Sequence, residues 1–239
     1  MAARLPGLSF FFPAYNEEGN VEAVVRDAID TLPRFADDIE VIIVDDGSRD
    51  RTPEIADHLA AGDVRIRVVH HERNVGYGGA VRSGLEASRK PFVFFTDGDR
   101  QFRLEDLPTL IDAIDGVDAA IGYRIKRRDP WRRIFTAWVY RQLMRLLFAS
   151  TIRDVDCAFK LFRRETFTRV PLSVVRSNGA FFSAELLLLL RDRGITLRQV
   201  PIPHYPRTIG ENTGASIRVT LRAIRDLLRL RLRLWGLPL

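Results

Sequence analysis

Two aspartates, Asp97 and Asp99, stand one residue apart where the apolar run "PFVFF" ends, and Gln101 follows two positions later. The stretch "TDGDRQF" admits two chemistries. Asp-Gly is common turn material, because Asp bonds nearby backbone and Gly tolerates positive φ. Carboxylates and amides at this spacing are also hard oxygen ligands of the kind that hold a divalent cation. A second acidic pair, Asp45 and Asp46, ends the run "VIIV". Polar residues end three more runs: Tyr15-Asn16-Glu17, Arg73-Asn74 and Arg124. Farther along, "DVDCAFK" adds Asp154 and Asp156, "FFSAE" adds Glu185 on an apolar stretch, and "HYPRTIG" adds Arg207 and Gly210.

The elements that position these residues follow from the hydrophobic period. Strands are predicted over 8–14, 39–48, 65–71, 91–99 and 117–124, each a short apolar run. Between them lie helical patterns: "NEEGNVEAVVRDAIDTL", "RTPEIADHLAA" with Thr52 as N-cap and Pro53 at its first position, "GGAVRSGLEAS" and "RLEDLPTLIDAID". The alternation predicts an α/β fold with a mostly parallel sheet and helices on both faces. Ligands on such sheets bind at the carboxyl ends of the strands. The polar residues named above fall at those ends. The second half is less regular. It reads as an aromatic helix in "RRIFTAWVYRQLMRLLFA", a short strand in "CAFKLFRRE", a helix in "FFSAELLLLLRDRG", a proline-broken strand in "ITLRQVPIPHY" and a terminal helix.

Bulk composition narrows the classes. The 239 residues are 46% hydrophobic, enough for a sizeable core in one large domain or two small ones. Cys157 is the only cysteine, which excludes an intrachain disulfide and a cysteine zinc cluster. The N-terminal apolar run ends at Pro13 and passes into acidic residues, so it is not read as a secretory signal. "AELLLLL" is far below the roughly 20 residues of a spanning helix. The protein is therefore expected to be soluble or peripheral. Net charge is +6, and basic residues crowd Arg124–Arg153 and Arg218–Arg233. A basic second half points to an anionic partner: phosphate, a membrane surface or nucleic acid.

In order and spacing, "PAYNEE", "VIIVDDGSRDRT", "RNVGYGGAVRSG", "FTDGDRQF" and "DVDCAFKLFRRE" resemble the family 2 inverting glycosyltransferases, and among them the polyprenyl-phosphate (dolichol-phosphate) sugar synthases. The resemblance runs from about residue 8 to about 213. It implies a GT-A domain over 1–213, followed by a basic amphipathic helix over 214–239. It implies a nucleotide-sugar donor, GDP-mannose or UDP-glucose, between which no residue chooses. Pro13, Tyr15, Asn16 and Glu17 would form the nucleotide cradle, Asp46 would recognise base or ribose, and Gly76 would let a helix approach the nucleotide. Asp97, Gly98 and Asp99 would face the diphosphate. Mg2+ or Mn2+ would be held by Asp97, Asp99 and Gln101, with Asp97 alternatively reaching the ribose. Asp99, Asp154 and Arg207 would be catalytic, Arg207 as a diphosphate clamp. Which of Asp154, Asp156 and Glu185 is the acidic active-site residue stays open. Cys157 reads as a small packed residue.

The resemblance also places Arg124, Arg132, Arg133 and Thr136 on an acceptor phosphate. A phosphomonoester is largely ionised near pH 7 and needs cations, whereas an alcohol acceptor needs a general base. That favours a polyprenyl phosphate lipid. In the terminal helix, Ile217, Leu221, Ile224, Leu228, Leu232 and Trp235 form a stripe flanked by arginines, which fits either a membrane interface or packing on the domain. Together these readings predict a metal-dependent hexosyltransferase, peripheral on the cytoplasmic face of a membrane. The rivals are a same-fold enzyme with a soluble saccharide or alcohol acceptor, and a non-catalytic nucleotide-sugar or nucleic-acid binding module. No nucleic-acid motif is recognisable, so a nucleic-acid partner is not expected.

Overall fold

The computed structural model describes residues 4–125, 131–206 and 217–235, with backbone alone over 131–137 and 217–222. Four strand–helix units come first: β1 (Leu8–Ala14) and α1 (Val21–Thr31), β2 (Ile39–Asp45) and α2 (Thr52–Gly62), β3 (Ile66–His70) and α3 (Tyr77–Ala87), β4 (Phe92–Phe95) and α4 (Leu107–Ala113). Then follow β5 (Ala119–Ile125), α5 (Trp131–Phe148), β6 (Lys160–Arg163), α6 (Glu165–Arg169), α7 (Phe182–Asp192), β7 (Leu197–Pro203) and α8 (Ile217–Leu234). The strands make one sheet in the order β3-β2-β1-β4-β6-β5-β7. Its pairs are parallel except at β6, which runs antiparallel to both β4 and β5. The expected mostly parallel α/β sheet is present, with one reversed strand inside it.

The central strands lack a polar alternation because helices cover both faces. Successive side chains point to opposite faces, and the phenylalanines divide accordingly. Phe10, Phe94 and Phe159 pack in one layer, Phe10 stacked on Phe94 at 5.5 Å between ring centroids and Phe94 edge-on to Phe159 at 4.8 Å. Phe11, Phe95 and Phe162 stack in the other, at 5.1 and 6.4 Å. All six are fully buried, and each contributes about 1.5–3 kcal/mol of transfer free energy.

Two helix starts differ from the sequence reading. The first helix begins at Val21, not near Asn16. Asn16 sits at φ 54°, a left-handed conformation that asparagine tolerates better than most residues, and its side-chain oxygen accepts from the Arg49 amide at 2.8 Å. In α2 the Thr52 hydroxyl does not cap its own helix. It accepts from the Glu17 amide at 2.9 Å, while the Asp50 carboxylate accepts from the Thr52 amide at 3.0 Å. Both side chains are used to lace the loop after β1 to the loop after β2.

The reversed strand decides where the second half meets the first. Lys160, the first residue of β6, pairs with Phe95 at the end of β4 and with Ile121 in β5. The chain entering β6 therefore reaches the same edge at which β4 and β5 leave. This brings Asp154 through Cys157 beside Asp97 and Arg124.

The terminal helix α8 follows the reading in which it packs on the domain. It packs through Leu227 and Leu230, which are buried, against α5 and the domain, while Leu228 and Trp235 of the predicted stripe are exposed. Among the described residues no helix is long and apolar enough to cross a membrane.

Candidate active site

Asp97 and Asp99 follow the end of β4 at Phe95. Burial raises the Asp97 carboxyl to about 7, and the neighbouring Asp99 charge adds to the rise. Tyr77, the first residue of α3, hydrogen-bonds Asp97 and opposes it, as do the charges of Lys160 and Arg124. Asp97 Oδ1 is buried and has no hydrogen-bond partner. A buried carboxylate oxygen without a donor is costly, and a divalent cation is the kind of group that satisfies it. The residues present therefore fit an oxygen-ligated metal, although no group of three or more His, Cys, Asp or Glu forms a closed metal cage among the described residues. Magnesium and its analogues keep several waters, so two carboxylates suffice.

The loop that carries the pair is held from outside. Asp99 Oδ1 accepts from the Gln101 amide at 3.1 Å, and Arg100 takes a left-handed φ of 59° to close that turn. The Gln101 side chain donates through Nε2 to the Tyr205 carbonyl at 3.2 Å, and the Tyr205 amide returns a bond to the Gln101 carbonyl at 3.0 Å. Gln101 thus zips the loop after β4 to the segment after β7. Phe102 is buried against Phe159 and His204.

Opposite lies a charge pair. Arg124 donates to both oxygens of Asp154, at 2.7 and 2.9 Å, in a bidentate fork. Both side chains are largely buried. Lys160 is wholly buried beneath them, bonds the Cys157 carbonyl and stands 5.3 Å from the centre of the Phe95 ring. Burial lowers its ammonium, and the acidic residues around it pull the other way. The Cys157 thiol is buried and pushed up to about 12, which removes it as a nucleophile.

At the ends of β1, β2 and β3 lies a cavity of about 290 Å3 lined by Tyr15, Asp45, Ser48, His70, His71 and neighbouring loop residues. Asp46 follows Asp45 at the end of β2. It accepts from His71 Nδ1 at 2.7 Å and from the amides of Val75 and Gly76 at 2.9 and 3.0 Å, so it holds the glycine loop to β2. His70 bonds Asp45 and Asp57 through its two ring nitrogens, at 2.9 and 3.0 Å. Burial would lower this imidazole, but the two carboxylates outweigh it and raise it. Pro13 is half-buried where Gly98 crosses its carbonyl, and Glu17 accepts from Asn20 at 2.6 Å.

The glycines before α3 are crowded by protein. A Cβ on Gly76, at φ 92°, would meet the Asn178 carbonyl at 2.7 Å, and one on Gly78 would meet Phe182 Cβ at 2.4 Å. Gly78→Ala is expected to destabilise the fold by about 1–3 kcal/mol, read as a lower urea midpoint at unchanged m-value. An unchanged midpoint would show that α3 and α7 can separate freely.

Of the remaining sequence candidates, Arg207 and Gly210 lie outside the described residues, as do the side chains of Arg132, Arg133 and Thr136 on α5. Glu185 is buried at the start of α7. It accepts from the Arg176 and Ser177 amides and pairs with Arg233 of α8 at 2.6 Å. No contact described joins it to Asp97 or Asp154. Four contributors escaped sequence reading: Tyr77, His70, His71 and Lys160. A pair of histidines ending "RIRVV" was a signal of the same kind as the acidic strand ends, and a lysine inside "CAFKLF" is an unusual charge in an apolar run.

A sheet of this order, with paired aspartates after β4 and a second acidic loop folded back beside them, defines a GT-A glycosyltransferase. Residues 9–170 match the model for glycosyl transferase family 2, and the chain belongs to that family. It is 36% identical over 209 residues to the glycosyltransferase AglD of Haloferax volcanii, an alignment that covers 84% of this chain and 33% of AglD. It is 32% identical over 226 residues to the polyprenol monophosphomannose synthase of Mycolicibacterium smegmatis, covering 90% of this chain and 84% of that protein. The fold is also that of glucosyl-3-phosphoglycerate synthase from Mycobacterium tuberculosis, solved with Mn2+, UDP and phosphoglyceric acid. The TM-score is 0.73 at 23% identity, with 98% of this chain and 80% of that one covered.

Proposed function

We propose that this glycosyltransferase moves a hexose, mannose or glucose, from a nucleotide-diphosphate sugar to a polyprenyl phosphate with inversion, and works as a peripheral protein at the cytoplasmic face of a membrane. The observation that carries the donor half is the orphaned, buried oxygen of Asp97 beside Asp99. Mg2+ or Mn2+ held by Asp97 and Asp99, with Gln101 fixing their loop, would supply the charge that stabilises the departing nucleoside diphosphate. Tyr15 flanks the base in the cavity above Asp45, and Asp46 keeps the glycine loop in place beside it. Tyr77 holds one oxygen of Asp97 and so aims the other.

The acceptor half rests on Arg124. Its fork is occupied by Asp154 at rest, and a phosphate dianion competes for the same bidentate geometry. An ionised phosphate attacks without a base, so no general base beside Asp97 is required. The relatives named for polyprenol-linked transfer support the same reading. The test is turnover of radiolabelled GDP-mannose and UDP-glucose with a short-chain polyprenyl phosphate in detergent, with and without Mn2+. One donor is expected to give an organic-soluble product only with metal. Transfer to a soluble saccharide or alcohol instead, with none to the lipid, overturns the acceptor reading.

A further inference from the structure

Between the start of α7, the loop before it and α8 lies a cavity of about 280 Å3. Arg176, Arg229 and Arg233 line it against two carboxylates, Glu185 and Asp226. Both acids are already committed. Glu185 takes two amides and Arg233, and these outweigh its burial to hold it below its usual range. Asp226 accepts from Arg225 at 3.2 Å and lies 4.0 Å from Arg229, at the limit of contact. The Arg176 guanidinium has no ion-pair partner among the described residues. The cavity therefore keeps an excess of cation, in the planar forks that suit phosphate.

Around α8 the surroundings change in three steps. Leu227 and Leu230 are in the core, and Asp226, Arg229 and Arg233 line the cavity. Leu228 and Trp235 are 47% and 59% exposed. At 100° per residue, positions 225, 229 and 232 fall between the cavity and this outer apolar face. A leucine and a tryptophan two turns apart, edged by Arg225 and Arg229, make the pattern of a helix lying in a lipid interface. The arginines give that face charge complementarity to an anionic surface.

We propose that this cavity takes the phosphate headgroup of an anionic bulk lipid, with Leu228 and Trp235 entering the acyl boundary beside it. The site is separate from the acceptor phosphate at Arg124. It rests on the reading of a lipid-linked acceptor, since that is what brings the protein to a membrane.

The experiment is co-sedimentation of the full chain with phosphatidylcholine vesicles containing or lacking phosphatidylglycerol, without donor, acceptor or metal. Wild type is expected to bind only the anionic vesicles. The double variant Arg176→Gln/Arg229→Gln is expected to bind them about thirtyfold more weakly, since each basic side chain near an anionic surface is worth roughly a fivefold change. A control, Arg26→Gln/Arg51→Gln, removes the same charge from the far surface and is expected to bind as wild type. If the first double variant melts early, Arg229→Gln alone carries the test at about fivefold. Equal binding to neutral vesicles, equal loss in the control, or stabilisation by inorganic phosphate with no vesicle binding each overturns the proposal. Turnover is not read, so failure of the proposed reaction and failure of this site are told apart.

Discussion

Asp97→Asn is expected to lower turnover by about 10^2–10^3-fold or more, and to raise the melting temperature of the metal-free protein at pH 8. The first effect follows from the loss of preorganised charge at the leaving group, where single such groups are commonly worth that much. The second follows from linkage. In the folded protein Asp97 holds its proton to about pH 7, and in the unfolded chain it releases it near 3.8. Between those values the native state binds more protons, so this group's contribution makes stability fall as pH rises. Above pH 7 the native state carries a buried charge beside Asp99, and the amide removes it. Each kcal/mol recovered raises Tm by about 2–4 °C in a domain of this size. The same proton competes with a cation, so the Tm gain from Mn2+ is expected to be larger at pH 8 than at pH 5.5. Melting curves of wild type and variant across that range check both statements. A lower Tm for the variant at pH 8, or full turnover, would sink the assignment of Asp97.

The second large effect concerns the Arg124–Asp154 fork. Asp154→Ala is expected to cost about 3–5 kcal/mol, because it leaves a buried guanidinium uncompensated. Adding Arg124→Met to Asp154→Ala is expected to recover most of that stability, since the charge that needed compensation is gone. Turnover is not expected to return, because Arg124 is the proposed phosphate ligand. Chemical denaturation of both singles and the double separates the pair's structural role from its acceptor role. Recovery of turnover along with stability would mean that Arg124 serves only the fold.

Much of the sheet was legible in the sequence. Strands ending in polar residues on one edge are a local property, visible in "VIIVDD" and "FVFFTDGD", and the parallel order follows from the alternation of elements. The role of Gln101 as a tie to Tyr205 was not legible, because it depends on a contact across more than a hundred residues. Asp46 reads as a ligand-binding group by its type, but its oxygens hold His71, Val75 and Gly76. Glu185, one of three acids left open, pairs with Arg233 from the far end of the chain, a partner no local pattern could show. Phe102 and Arg100, which had no reading in the sequence, are respectively a core side chain beside Phe159 and a left-handed turn residue.

The antiparallel course of β6 has a consequence for how such an enzyme diversifies. The segment 149–159 arrives at and departs from one rim of the sheet, and its neighbours β4 and β5 were laid down earlier in the chain. Its length and side chains can therefore change as a cassette, framed by the β6 ladder, without disturbing the strands laid down before it.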